Sequence, residues 1–264
     1  MRASLVLLGA GIAGWAGLVL QPLQAGLPPT CGEMSLWLLW QVTQLTADMK
    51  MVSGLAMWGV CMLLAMMAPG LFRPVDHIIS QSLPRRTATL LLSFTFAYVV
   101  VWLPVVATLL LSSGVLLRSV GGGASVVLFG VACWYAWACT PMHQFALNRG
   151  HVMRPLRSFG GAAVRDAIAL GARHGGWCIL SCWPLMVIPL LSSGDSAPLM
   201  AACSAAGAFL RVLPPRAARW HLSGFLPLWA ALVVTSRWCM RRLAMLPRSA
   251  LAAAQTAGRA RARV

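Results

Sequence analysis

A chain of 264 residues that is 59% hydrophobic and only 10% charged, with mean hydropathy +0.76, lies far from soluble domains, about a quarter of whose residues are charged. The formal charge of +16 invites a nucleic-acid reading, but the arginines cluster in loops and a tail beside apolar runs. There they orient spans and meet anionic lipid headgroups, at about 1 kcal/mol each, and nucleic-acid binding is disfavoured.

Taken in order, the apolar runs predict spans over 3–20, 52–70, 88–112, 123–141, 175–192, 197–213 and 223–239. Unbroken runs do not fit the alternation of a membrane β-barrel. The expectation is therefore an all-α fold, a polytopic helical transmembrane bundle of about six to seven spans. Residues 1–25 read as a first transmembrane helix, or as a signal sequence with Ala25 at the cleavage point, which Leu23-Gln24 and the length of the run disfavour. Residues 26–246 form the bundle as one domain, and the Ala/Arg-rich tail 247–264 is expected to be disordered or to lie on the membrane surface.

Arginine placement orients the bundle. Loops 71–87, 142–174 and 211–222 carry eleven arginines from Arg73 to Arg219, whereas the opposite loops hold only Lys50 and Arg118. With the N-terminus inside, the former face the cytoplasm. Seven spans would then strand the tail arginines, Arg237 to Arg263, outside, and the sequence leaves that conflict open.

Of eight cysteines, all but Cys31 fall in or at the ends of predicted spans, which argues against a disulfide framework. Cys31 reads as a loop residue without an obvious partner. The most informative stretch is Cys178-Ile179-Leu180-Ser181-Cys182-Trp183-Pro184-Leu185-Met186. Residues four apart share a helix face, so Cys178, Cys182 and Met186 form one stripe of soft sulfur donors, which favour Cu(I) and other soft metals. A second stripe, Met57 to Pro69, sets Met62 above Met66 and ends in Met66-Met67-Ala68-Pro69. A third follows the fourth span, where His143, Leu147 and His151 share a face if helical. The three clusters, with His174 one turn before Cys178, are expected to meet at the inner end of the bundle.

These patches, spanning roughly 54–214, resemble a family of uncharacterised bacterial polytopic proteins described as predicted metal-binding integral membrane proteins. The resemblance rests on Trp58…Met62…Ala65-Met66-Met67-Ala68-Pro69, on Thr140-Pro141-x-His143…Leu147…His151…Pro155, and above all on Cys178-x-x-x-Cys182-Trp183-x-Leu185-Met186. The family often has lysine at the position of His143, cysteines at those of Ala146 and Gly150, and a glutamate near Leu210-Arg211; this chain is divergent there. The resemblance implies metal binding in a bacterial inner membrane, without a defined reaction or metal.

The leading expectation is membrane-embedded binding of a soft transition metal, copper as Cu(I), for metal homeostasis or metalloenzyme assembly. Cys178 and Cys182 are the thiolate ligands, Met186 or Met62 and Met66 the thioethers, and His143 or His174 a docking ligand at the mouth. Partners are the lipid bilayer and a soluble metal donor, acceptor or metalloenzyme. A small-solute permease and a structural subunit of a larger complex are the alternatives. The spans lack clear carboxylates, disfavouring an ion-coupled carrier, and no phosphate-binding loop is present. No residue orients a Cys178–His174 nucleophile pair, so enzymatic chemistry and organic or nucleotide cofactors are not expected.

Overall fold

The structure, a computed structural model, describes residues 2–25, 28, 30–43, 49–157, 160–192 and 196–220. The predicted span 223–239, Cys239 and the tail 247–264 lie outside the described residues. Every regular element among those described is helical: α1 (Arg2–Ala25), α2 (Cys31–Thr43), α3 (Met49–Met67), α4 (Phe72–Gln81), α5 (Thr87–Val120), α6 (Ala124–Ala138), α7 (Pro141–Gly150), α8 (Gly160–Leu190) and α9 (Ala197–Val212). A 3₁₀ turn, Ala68–Leu71, joins α3 to α4.

By length and apolarity, two helical stretches among the described residues suffice to cross a bilayer, Val52–Gln81 and Thr87–Val120. A third is added if α6 and α7, bent by 75° at their junction, count as one. Leu5–Leu20 and Ala197–Val212 are apolar but shorter. The helix carrying the cysteines begins at Gly160, fifteen residues before the apolar run on which the expectation rested, and its polar first half includes Asp166, Arg173 and His174. Asp166, read as a loop residue, thus lies in α8, where Arg157 holds it through two side-chain hydrogen bonds of 3.0 and 3.1 Å and keeps its carboxyl below the usual range.

Helices α2, α4 and nearly all of α7 fall where the apolar runs predict loops. Thr30-Cys31-Gly32-Glu33 has the Thr-x-x-Glu spacing of a helix start, and the Thr30 hydroxyl accepts from the Glu33 amide at 3.2 Å. Cys31 is therefore the first residue of α2 rather than a partnerless loop residue. Its sulfur lies 3.5 Å from Met200 Sδ and accepts from Ser196 Oγ at 3.2 Å. The seven described cysteines are free thiols.

Glycines set the helix spacing. At Gly171 an added Cβ would strike the Phe94 carbonyl oxygen and sit 3.2 Å from Ala97 Cβ, so α8 lies against the backbone of α5, its most extensive partner. At Gly14 it would sit 2.6 Å from the Ala65 nitrogen, bringing α1 equally close to α3. Close approach at small residues lets helix backbones pack directly on one another.

Proline tunes α8 locally. Pro184 has no amide hydrogen, which frees the carbonyl of Leu180 four residues earlier. The indole Nε1 of Trp137 on α6 fills the gap, donating to Leu180 O at 3.1 Å, while its ring meets Trp183 edge-on at 5.8 Å. Trp137→Phe keeps an aromatic ring, smaller than the indole, but leaves that carbonyl without its donor, at an expected cost of about 1–3 kcal/mol. Thermal unfolding should register the loss; an unchanged midpoint would mean that this hydrogen bond contributes nothing net.

Candidate metal centre

Helical periodicity puts Cys178 and Cys182 on one face of α8, and both are 2% exposed. Three elements close over them. From α5, packed close through Gly171, the Tyr98 hydroxyl reaches Cys178 Sγ at 3.0 Å. From the end of α3, Met67 brings its thioether sulfur to 3.8 Å from Cys178 Sγ. From α9, Arg211 Nη2 donates to Cys178 Sγ at 2.6 Å and to Cys182 Sγ at 3.2 Å. Ser181 Oγ lies 3.5 Å from Cys182 Sγ. Two thiols, a thioether, a phenol and a guanidinium thus converge in one place.

A cavity of about 320 Å³ opens beside Cys178. Its walls draw on every predicted cluster: Pro69 and Gly70 after α3, Leu147 from α7 and His151 just after it, His174, Trp177 and Ser181 from α8, and Arg211 from α9. Arg73 also lines it and contacts His151 Nδ1; burial, then the nearby Arg73 and Arg211 charges, hold the His151 imidazole below its usual pKa.

The histidines predicted at the mouth are buried. His143, 2% exposed, sits in the first turn of α7, where the Thr140 side chain caps the helix by accepting from the His143 amide. It lies close enough to Cys182 for the two to interact electrostatically. His174 packs its ring 6.3 Å from those of Phe94 and Tyr98. In both, Nε2 is buried without a hydrogen-bond partner, leaving one imidazole nitrogen uncommitted.

Met62, Met66 and Met186 are buried in the same apolar core as the two cysteines. The thioether that meets a cysteine sulfur, however, is that of Met67, the neighbour of the residue singled out for its spacing. Among the described residues no group of three or more His, Cys, Asp or Glu side chains is arranged to hold a metal ion. The donor set is two thiols with thioether sulfur, a soft, low-coordination combination suited to Cu(I) rather than to four-coordinate zinc.

A family model described as PpoB2, copper chaperone, matches residues 55–234. The chain belongs to this family. The match spans every site residue above, from Met62 to Arg211, so the copper-related function attaches to the same region as the sulfur cluster. It agrees with the expected resemblance at the coarse level of a copper- or metal-related family. No curated protein and no solved structure matches the chain.

Arg211 is the site neighbour that the residue pattern does not single out. By sequence it is one of many topogenic arginines, yet its guanidinium turns inward onto the two sulfurs. The one available signal was its position at the end of an apolar helix, where an arginine inside the bundle needs a partner.

Proposed function

We propose that this copper chaperone family member binds Cu(I) inside a bacterial cell membrane, through Cys178 and Cys182 with Met67 as thioether ligand, and passes the ion to a separate soluble protein or metalloenzyme. The observation that carries the reading is the convergence of both buried cysteines and the Met67 thioether beside the 320 Å³ cavity. Coordination makes the thiols thiolates, and their protons leave to solvent as the metal enters. Copper is cargo here. His174, which lines the cavity and whose Nε2 is buried without a partner, would receive the ion before the thiolates do; Met62, Met66 and Met186 would supply further thioethers in the same core. Ligand-by-ligand exchange among such donors transfers Cu(I) without releasing it to water.

The lipid-facing setting is part of the proposal. Support comes from the long apolar helices and from the outer surface of α5, where Leu92 is 71% and Phe96 69% exposed. Large apolar side chains at that exposure suit hydrocarbon better than water. A bundle of about six to seven spans would use the shorter apolar helices as well.

Copper X-ray absorption on anaerobically loaded protein in detergent tests the site. The expected spectrum is that of Cu(I) with two short sulfur scatterers and a longer third, the third lost in Met67→Leu. A shell of nitrogen and oxygen only, or no bound copper, overturns the assignment.

A further inference from the structure

We infer that Arg211 makes the centre selective for monovalent soft ions. The inference rests on the cysteine site proposed above. The guanidinium is permanently charged, and one of its nitrogens bridges both cysteine sulfurs, at 2.6 and 3.2 Å. Its place is held from the other side by the Gly70 carbonyl, which accepts from Nη1 at 3.5 Å, and an added Cβ at Gly70 would lie 2.8 Å from that nitrogen. Gly70 therefore leaves just the room that the guanidinium fills. The nearby ring and thioether groups, Tyr98, His174 and Met67, bring no carboxylate to the cysteines, and the one ion pair among the described residues joins Arg157, ahead of α8, to Asp166 in its first half.

Charge then decides which ion fits. Two cysteine thiolates carry −2, Arg211 carries +1, and a monovalent ion brings the cluster to zero, whereas a divalent ion leaves +1. An uncompensated charge in an apolar interior is costly. Arg211 thus acts through the cysteines, as a specificity-determining neighbour whose N–H groups can keep bonding the coordinated sulfurs. Softness and charge are separable here: thiolates select for soft ions, and the guanidinium selects among soft ions for those of charge +1.

Ag(I) and Cd(II) isolate the charge effect, since both are soft and differ by one unit. Their relative affinity is measured by competition on anaerobic, detergent-solubilised full-length protein for wild type, Arg211→Met and Arg211→Lys. Arg211→Met should move the Ag(I)/Cd(II) ratio toward Cd(II) on the order of a hundredfold or more, as expected for loss of a unit charge a few ångströms from the metal; Arg211→Lys should stay within tenfold of wild type. A shift below tenfold in Arg211→Met overturns the inference and leaves the site intact. Failure of wild type to bind either ion overturns the cysteine site itself. If Arg211→Met does not fold, wild type is compared with dithiothreitol, a dithiol lacking the guanidinium. A wild-type ratio at least tenfold further toward Ag(I) supports the inference, and any smaller difference overturns it.

Discussion

Replacing Cys178 and Cys182 together by serine should reduce copper from near one ion per chain to less than about a tenth, with helix content unchanged. Serine oxygen is a hard, weakly basic donor at neutral pH and cannot replace a thiolate toward Cu(I). The side chains are nearly isosteric, and both hydroxyls keep acceptors for Arg211 and, at 178, a partner in Tyr98. The expected stability cost is thus about 1–3 kcal/mol, in the range of a perturbed buried polar contact. Elemental analysis of wild type and double variant, purified anaerobically in detergent and checked by circular dichroism, measures both quantities. Equal copper in the two proteins would remove the cysteines from the function and return attention to the permease and structural readings.

The second large effect concerns packing rather than ligation. Gly171→Ala should destabilise the bundle by about 2–3 kcal/mol, because the new methyl must displace the backbone of α5 at Phe94 rather than a pliable side-chain tip. Tyr98 lies four residues further along α5, so parting the two helices also draws its hydroxyl away from Cys178. Copper affinity should fall with stability. Gly176, five residues later on the same helix, is the internal control: nothing lies within 4 Å of an added Cβ there. Gly176→Ala should be neutral or gain about 0.5–1 kcal/mol through helix propensity. Denaturation midpoints of the two variants decide the matter. Similar losses at both positions would mean that close approach at Gly171 does not set the α5–α8 distance.

Much of the architecture is legible in the residue order because apolar runs and helical periodicity are local properties. Runs of Leu, Val, Ala and Met predicted the helices α1, α3, α5, α6 and α9 to within a few residues, apart from the extensions of α1 to Ala25 and of α5 to Val120. The i, i+4 spacing of Cys178 and Cys182 predicted their shared face. What hydropathy could not register was helix made of polar sequence. The first half of α8, the whole of α4 and all of α7 after Pro141 lie in stretches that hydropathy reads as loops; α8 there packs Gly171 against α5, and α7 is started by the Thr140 cap and Pro141. The start of α2 was equally available, in Thr30-x-x-Glu33, but a capping signal is short and easily passed over beside long apolar runs.

Sequence by itself determined that the described residues are helical and that Cys178 and Cys182 share one helix face. These follow from composition and from a spacing that one helix converts directly into proximity. Only the tertiary structure decided which other groups join them. Met67 rather than Met66 or Met62 meets Cys178, a contact that spacing along α3 alone does not select. Arg211, 29 residues from Cys182, reaches both sulfurs because α9 packs against α8 and the 3₁₀ turn, leaving the space over Gly70 to its guanidinium. Contacts between distant segments depend on how helices cross, and that is fixed by close approach at glycines and by shape, which no local pattern encodes.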